Sequence, residues 1–432
     1  MEIEIITLLM FLSLFVLLGL GVPVAFALGA ISIVFTIYLW GPQGLSNIPL
    51  VIYSEIGTGL LPIPLFLLMA SVLERSGIAD SLYEAIYRWT SNTPGGLAMG
   101  TVLIGTIFAA MSGVSGAATI AMGLVAIPSM LKRNYSKHLA IGSVAAGGVL
   151  GIVIPPSVIM IIYATVVRES VGALFFSGIV PGVMIALMHM IYIRVQSARD
   201  PHYGPPIGES IPLKEKIASL KSLILPIILI FTVLYVIYGG VANPTEAAGI
   251  GAFGAFVCAA VNKRLNMGLV NESIRSTLGL VCMIIWIVAC ASIFNSTYVA
   301  VGGRELIVGA IEGLDISPFA IIILMHVILF LMGMVMDDYA VVMLAAPIFH
   351  PVVVMLGFDP IWFGLTFILN KQMSYLTPPF GFTLFYLKGI VPKNVNMADI
   401  YRSVIPFVLI QALGLILVLA FPALATWLPS LR

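Results

Sequence analysis

The sequence predicts an all-α polytopic membrane protein, an inverted repeat with two re-entrant helical hairpins and two broken helices. Three observations carry this. Hydrophobic residues make up 60% of the 432 positions, charged residues only 9%, and mean hydropathy is +1.13, far beyond the range of a water-soluble domain. Two long apolar segments are each interrupted by a double proline, GGVLGIVIPP at 147–156 and NKQMSYLTPP at 370–379. Proline removes a backbone donor and clashes with the preceding turn, so a helix unwinds there and leaves carbonyls free. Within a bilayer, freed carbonyls persist only when buried in protein or lining a wet cavity. Finally, a shift of 223 residues carries Pro128 onto Pro351, Tyr135 onto Phe358 and Pro155-Pro156 onto Pro378-Pro379 without a gap, the mark of a duplicated segment.

Taken in order, residues 1–40 begin with two glutamates and no lysine or arginine before the first apolar run. That reverses the basic start of a secretory signal, so a retained helix is expected. Gly21, Val22 and Pro23 turn it into a second helix ending near Trp40. Segment 51–73 reads as a third helix kinked at Pro62 and Pro64, and 74–96, with Arg75, Arg88 and Trp89, suits an amphipathic element at the interface. Then 97–110 is apolar, 111–117 reads MSGVSGA, and 118–131 is apolar again. Each flank has about 14 residues, short of the roughly 20 a span needs, so a re-entrant hairpin with a Gly/Ser tip is expected. Ser115 lies in GVSGA, which is not a G-x-S-x-G nucleophile elbow, and this argues against a serine hydrolase.

The first broken helix is expected over 136–167, a further helix over 174–193, a long polar loop over 194–222, and spans over 223–238 and 249–261. The second half repeats this grammar. A helix over 278–300 leads to a polar interlude, then a hairpin whose tip, GMVMDDYA at 333–340, carries two carboxylates. The second broken helix and a span over 403–428 follow. The expected units are N-terminal scaffold helices at 1–96, a first transport repeat at 97–193, a loop with central scaffold helices at 194–316, a second transport repeat at 317–402, and a C-terminal helix at 403–432. With the N-terminus outside, this threading puts sixteen lysines and arginines inside and three outside, leaving Lys371 in the membrane. Positive charge collects on the cytoplasmic side, so the first hairpin opens inward, the second opens outward, and both termini are periplasmic. Paired broken helices in inverted copies point to an alternating-access carrier with a central site. A net charge of +1 gives no reason to expect nucleic acid as a partner.

The tips and breaks offer carbonyls, hydroxyls and a few carboxylates. These hard oxygen ligands suit sodium better than a transition metal. In the first copy the candidate ligands are Ser112 and Ser115 at the tip, with Gly151, Ile154 and Pro155 at the break. In the second they are Gly333, Asp337 and Asp338 at the tip, with Ser374 and Thr377 at the break. Helix N-termini expected at Ser157 and Phe380 aim positive dipole ends at the centre, which suits an anionic substrate. Gly116, Pro156, Ser157, Asn370, Lys371 and Pro379 are the candidate substrate contacts. Lys371 has two readings, pairing with one of the aspartates or touching substrate. His189, His326 and His350 are isolated in apolar runs and read as packing or helix–helix hydrogen-bonding residues, and Cys258, Cys282 and Cys290 as buried packing residues.

These same residues carry a resemblance. SGVSGAATIAMG, GIVIPPSVIMIIY, MDD, GFDPIWFG and LTPPFGFTLF resemble the large, DctM-type membrane subunit of TRAP transporters, the tripartite ATP-independent periplasmic family, over essentially the whole chain. The resemblance implies a sodium-coupled importer of small organic acids such as C4-dicarboxylates or sialic acid, with an elevator mechanism and a bacterial inner-membrane location. It implies as partners a periplasmic substrate-binding protein and a small four-helix membrane subunit, expected here as a separate chain, and no cofactor beyond sodium as coupling ion. Family sodium sites match Ser112, Ser115, Gly151, Ile154, Pro155, Gly333, Ser374 and Thr377, with one departure: Ser374 stands where the family usually has glycine. The rival readings are a sodium- or proton-coupled symporter without a binding protein, an ion channel, and a membrane-embedded enzyme. The enzyme lacks a histidine placed near the tip serines or aspartates to act as a base.

Overall fold

The computed structural model describes residues 3–113, 115–208, 211–312 and 316–431, and all regular structure among them is helical. The N-terminal helices are α1 (Ile3–Gly19), α2 (Val24–Trp40), α3 (Asn47–Ile56), α4 (Pro62–Arg75) and α5 (Ile78–Thr90). The third apolar segment is therefore two helices rather than one kinked helix. Pro62 opens α4, where its missing N–H costs nothing. The first copy comprises α6 (Gly96–Ser112), α7 (Ser115–Lys132), α8 (Lys137–Val149), α9 (Val158–Val167) and α10 (Val171–Arg199). Between the copies lie α11 (Leu213–Ser219), α12 (Lys221–Tyr238), α13 (Pro244–Val261), α14 (Met267–Ala300) and α15 (Gly303–Glu312). The second copy comprises α16 (Pro318–Val335), α17 (Asp338–Met355), α18 (Pro360–Ser374), α19 (Phe382–Ile390) and α20 (Met397–Ala420), followed by the short α21 (Ala423–Thr426).

The hairpin arms run deeper than the flanks read from sequence. Helix α6 continues through Met111 and Ser112, and α16 through Gly333 to Val335. Small and polar residues at a helix end do not stop it while backbone bonds remain available. By length and composition α16 and α17 are each long enough to cross a membrane. Three other expectations need correction. Helix α14 starts eleven residues earlier than its apolar run, at Met267, because Asn266 caps it by accepting from Leu269 N–H at 2.8 Å. Helix α20 ends at Ala420, before Pro422. Cys282 is exposed on the outside of α14, whereas Cys258 and Cys290 are buried as expected.

Helix α7 falls on α17 at both ends under the 223-residue shift, and α9 and α19 share their last position, Val167 and Ile390. Packing across the copies is reciprocal. Helix α7 packs on α19, and α17 on α9. In the first pairing Gly116 and Gly123 receive Tyr386 and Ile390; beside the second, His350 Nε2 of α17 lies 3.2 Å from Oε1 of Glu169, just past the end of α9. Helices α10 and α20 also meet, with His189 Nε2 3.4 Å from the Phe407 carbonyl. Outside this pair of copies, α4 packs along α13 and α14, and α14 along α2.

Where two helix backbones approach, small residues let them do so. Buried indoles need a polar partner: Trp362 of α18 donates Nε1–H to the Val418 carbonyl of α20 at 2.8 Å. Trp362→Phe is expected to cost about 1 kcal/mol by leaving that carbonyl unpaired. Thermal unfolding of the detergent-purified chain should show a lowered midpoint, with folding otherwise intact.

Candidate functional site

The two double prolines stop α8 and α18 as their chemistry demands. After Val149 a 3-10 turn, Leu150–Ile152, carries the chain out of the helix, and Ser157 restarts it. Ser157 Oγ donates to the Ile152 carbonyl at 2.7 Å and accepts from Met160 N–H at 3.5 Å, so this serine spans the break. In the second copy Leu376 and Thr377 leave α18 in two successive tight turns, bonding to the Met373 and Ser374 carbonyls. The following half-helix opens at Gly381 in the left-handed region rather than at Phe380. Phe380 is exposed. Each break is stitched to the hairpin of its own copy by a backbone bond, Val158 N–H to the Gly113 carbonyl at 3.3 Å and Phe380 N–H to the Met334 carbonyl at 3.3 Å.

The start of each second hairpin arm and the flanks of both breaks meet around one cavity of about 250 Å³. Gly113, Ser115 and Gly116 of the first hairpin line it, with Asp337, Asp338 and Tyr339 of the second. Ile152 and Ile159 come from the first break; Tyr375, Phe382 and Tyr386 come from the second. Leu280, Met283 and Ile287 of α14 close it. Four of the predicted residues, Ser115, Gly116, Asp337 and Asp338, thus share its wall.

Their neighbours explain their positions. Asp337 caps α17 by accepting from Ala340 N–H at 3.0 Å. Asp338, in the first turn, faces Lys371 of α18, with Nζ 3.2 Å from Oδ1. Lys371 is 0% and Asp338 4% exposed, so this is an ion pair inside the protein. The Tyr375 ring lies one turn along α18, its centroid 5.8 Å from Nζ. Gly333 belongs to the same group. A Cβ there would run into Ser374 Oγ and lie 2.7 Å from Lys371 Nζ, so α16 sits directly on these two side chains. Ser374 Oγ donates to the Lys371 carbonyl and Thr377 Oγ1 to the Met373 carbonyl, each at 2.9 Å. Both hydroxyls have spent their protons on backbone, which leaves oxygen lone pairs to face a cation.

Other predicted residues are placed differently. Asn370 does not line the cavity: it is buried against α16 and donates Nδ2–H to the His326 carbonyl at 2.8 Å. Lys371 stands behind Asp338 rather than in the cavity wall. Gly151, Ile154, Pro155 and Pro156 form the first break itself, and Pro379 is exposed. The side chain of Ser112, together with Val114, lies outside the described residues. Among the described residues no group of three His, Cys, Asp or Glu side chains is gathered to hold a metal ion, so any cation here would rest on carbonyls, hydroxyls and single carboxylates. The histidines make helix–helix contacts, His189 with Phe407 and His326 with Asn370, and His350 adds a pairing with Glu169.

Sequence reasoning missed the tyrosines. Tyr339 directly follows Asp338, and Tyr375 sits just before the second double proline, so nearness to the motifs was a usable signal. No local signal marks Leu280, Met283 and Ile287, which form one stripe of a long apolar helix.

Comparison with known proteins agrees with this picture. The family model described as "Tripartite ATP-independent periplasmic transporter, DctM component" matches residues 11–424. The C4-dicarboxylate TRAP transporter large permease protein of Pseudomonas aeruginosa is 32% identical over 91% of this chain and 92% of its own length. Its counterpart in Vibrio cholerae is 30% identical over 98% and 97%. Among solved structures, the Alcanivorax borkumensis YdaH transporter covers 91% of this chain and 95% of its own, with a TM-score of 0.64 at 15% identity, a likeness of fold.

Proposed function

The chain belongs to the tripartite ATP-independent periplasmic transporter family as its DctM component, and from that premise we propose that it is the large permease of a sodium-coupled importer of small organic acids. Its relatives are transport permeases rather than enzymes. Large permeases of this family work with a substrate-binding protein and a small membrane subunit. For this chain we take the first to be periplasmic and the second to be a separate four-helix protein. C4-dicarboxylates, which the Pseudomonas and Vibrio relatives carry by name, are the leading substrate class.

The observation that carries the reading is a cavity at which both hairpins and both breaks converge. A channel would need a continuous polar path, whereas this cavity is closed on one side by Leu280, Met283 and Ile287. Sodium coupling is assigned to the two clusters, Ser112, Ser115, Gly151, Ile154 and Pro155 in the first copy and Gly333, Asp337, Ser374 and Thr377 in the second, where Asp338 faces Lys371 instead. The residues fit that task because they supply hard oxygens, and the Ser374 and Thr377 hydroxyls have their protons already engaged by backbone carbonyls. Substrate carboxylate is drawn to the same place by the cations and by Ser157, where α9 begins. The orientation follows from the lysine and arginine distribution, with both termini periplasmic and the copies inverted in a bacterial inner membrane. The elevator movement carries the two copies against the helices that flank them, α4 and α14 among them.

Uptake of labelled organic acids into proteoliposomes, with the small subunit and the binding protein, tests this. Accumulation should require an inward sodium gradient and the binding protein together. Sodium-driven uptake that ignores the binding protein would remove the tripartite assignment. Ser115→Ala and Thr377→Ala each delete one oxygen ligand, and each should raise the sodium concentration for half-maximal uptake roughly tenfold, about 1.4 kcal/mol. An unchanged sodium dependence in both would remove the site assignment.

A further inference from the structure

The second cation cluster already contains a cation. The Lys371 ammonium lies against Gly333 and beside Ser374, with Asp338 3.2 Å away, and these are three of the residues from which sequence builds a metal site. Lysines near helix ends commonly reach for the membrane surface, but Lys371 is fully buried. The Asp338 carboxylate faces its nitrogen at 3.2 Å, and each charge is satisfied by the other. A charge at this depth is retained only with a partner.

The two copies differ on this point. The 223-residue shift carries Asp338 onto Ser115, Lys371 onto Gly148 and Ser374 onto Gly151. The first copy therefore has neutral residues at all three positions and must recruit its whole positive charge from solution. The second brings one positive charge on its own side chain, set against Asp338, with Asp337 as the other carboxylate of the cavity wall. We infer that the Lys371 ammonium is a tethered stand-in for one sodium ion at the second cluster, so that this carrier binds one sodium fewer per transport cycle than the same chain without that lysine. The inference rests on the sodium reading above and fixes which part of the coupling the protein supplies itself.

Equilibrium binding of radioactive sodium to the detergent-purified full chain tests it. Lys371→Met removes the ammonium and leaves Asp338 to be neutralised from solution. That variant should bind one more sodium ion per chain at saturation than the wild type. The double variant Asp338→Asn, Lys371→Met removes an internally neutral pair and should return the wild-type count. Equal, non-zero binding by wild type and Lys371→Met would overturn the inference while leaving sodium coupling in place. A double variant that binds one ion fewer than wild type would also overturn it, since Asp338 would then hold sodium already, and this arm remains readable if the single variant does not fold. Absence of sodium binding in all three chains would remove the sodium reading itself.

Discussion

Asp338→Asn is expected to destabilise the chain by about 3 kcal/mol or more and to abolish uptake. The substitution leaves the fully buried Lys371 ammonium without the carboxylate that faces it at 3.2 Å. Removing one partner of a buried pair costs about 3–5 kcal/mol, because the remaining charge keeps its desolvation penalty and loses the attraction that offset it. Asp337→Asn provides the contrast. Asp337 serves α17 as a cap, accepting from Ala340 N–H, and asparagine caps nearly as well, so its cost to stability should stay well below 1 kcal/mol. Thermal unfolding of both variants in detergent decides the matter. Similar losses from the two would mean that the Lys371 pair is not what holds the second hairpin to α18. Adding Lys371→Met to Asp338→Asn should recover most of the lost stability, since two neighbouring substitutions that remove a pair together are not additive.

Gly105→Val should be comparably severe for a different reason. A Cβ at Gly105 of α6 would lie 2.8 Å from both Cα and the carbonyl carbon of Gly147 in α8, and one at Gly147 would lie 3.2 Å from the Val102 Cα. These are backbone atoms, which cannot swing aside as a side-chain tip can. Helix α6 must move away from α8, and the first hairpin moves with it. The expected cost is about 3 kcal/mol, the upper part of the range for overpacking a filled interface. The movement should also weaken sodium binding, because Ser115 and the 3-10 turn at Leu150–Ile152 lie at the ends of the displaced elements. Gly309→Ala is the control, with nothing within 4 Å of the added atom. Purified yield and unfolding temperature should separate the two; equal behaviour would show that the α6–α8 contact tolerates separation.

Much of the architecture could be read from local chemistry. Composition alone placed the chain in a membrane, because no arrangement of 60% hydrophobic residues and 9% charge leaves a water-facing surface. The double prolines located the breaks, since the missing donor and the ring clash act within one turn wherever the helix goes. The spacing of those prolines pointed to a duplication, and the same shift fits the ends of α7 and α17. Hairpin tips were found but drawn too wide. Glycine and serine mark where a helix is able to end, and Gly333 and Ser112 were nonetheless kept inside α16 and α6 by backbone bonding and packing.

What the sequence by itself determined is therefore the set of elements, their interruptions and the chemical character of the residues at them. Only the tertiary structure decided which face each residue presents. Asn370 and Lys371 are adjacent on α18, yet one is tied to His326 and the other to Asp338. The tyrosines at 339, 375 and 386 and the α14 stripe joined the cavity because distant helices brought them there. The physical reason is that a helix turns successive side chains by about 100°. A residue's environment is thus set by whichever neighbour packs on that side, and in this fold those neighbours lie in another helix of the same copy, in the other copy or in α14.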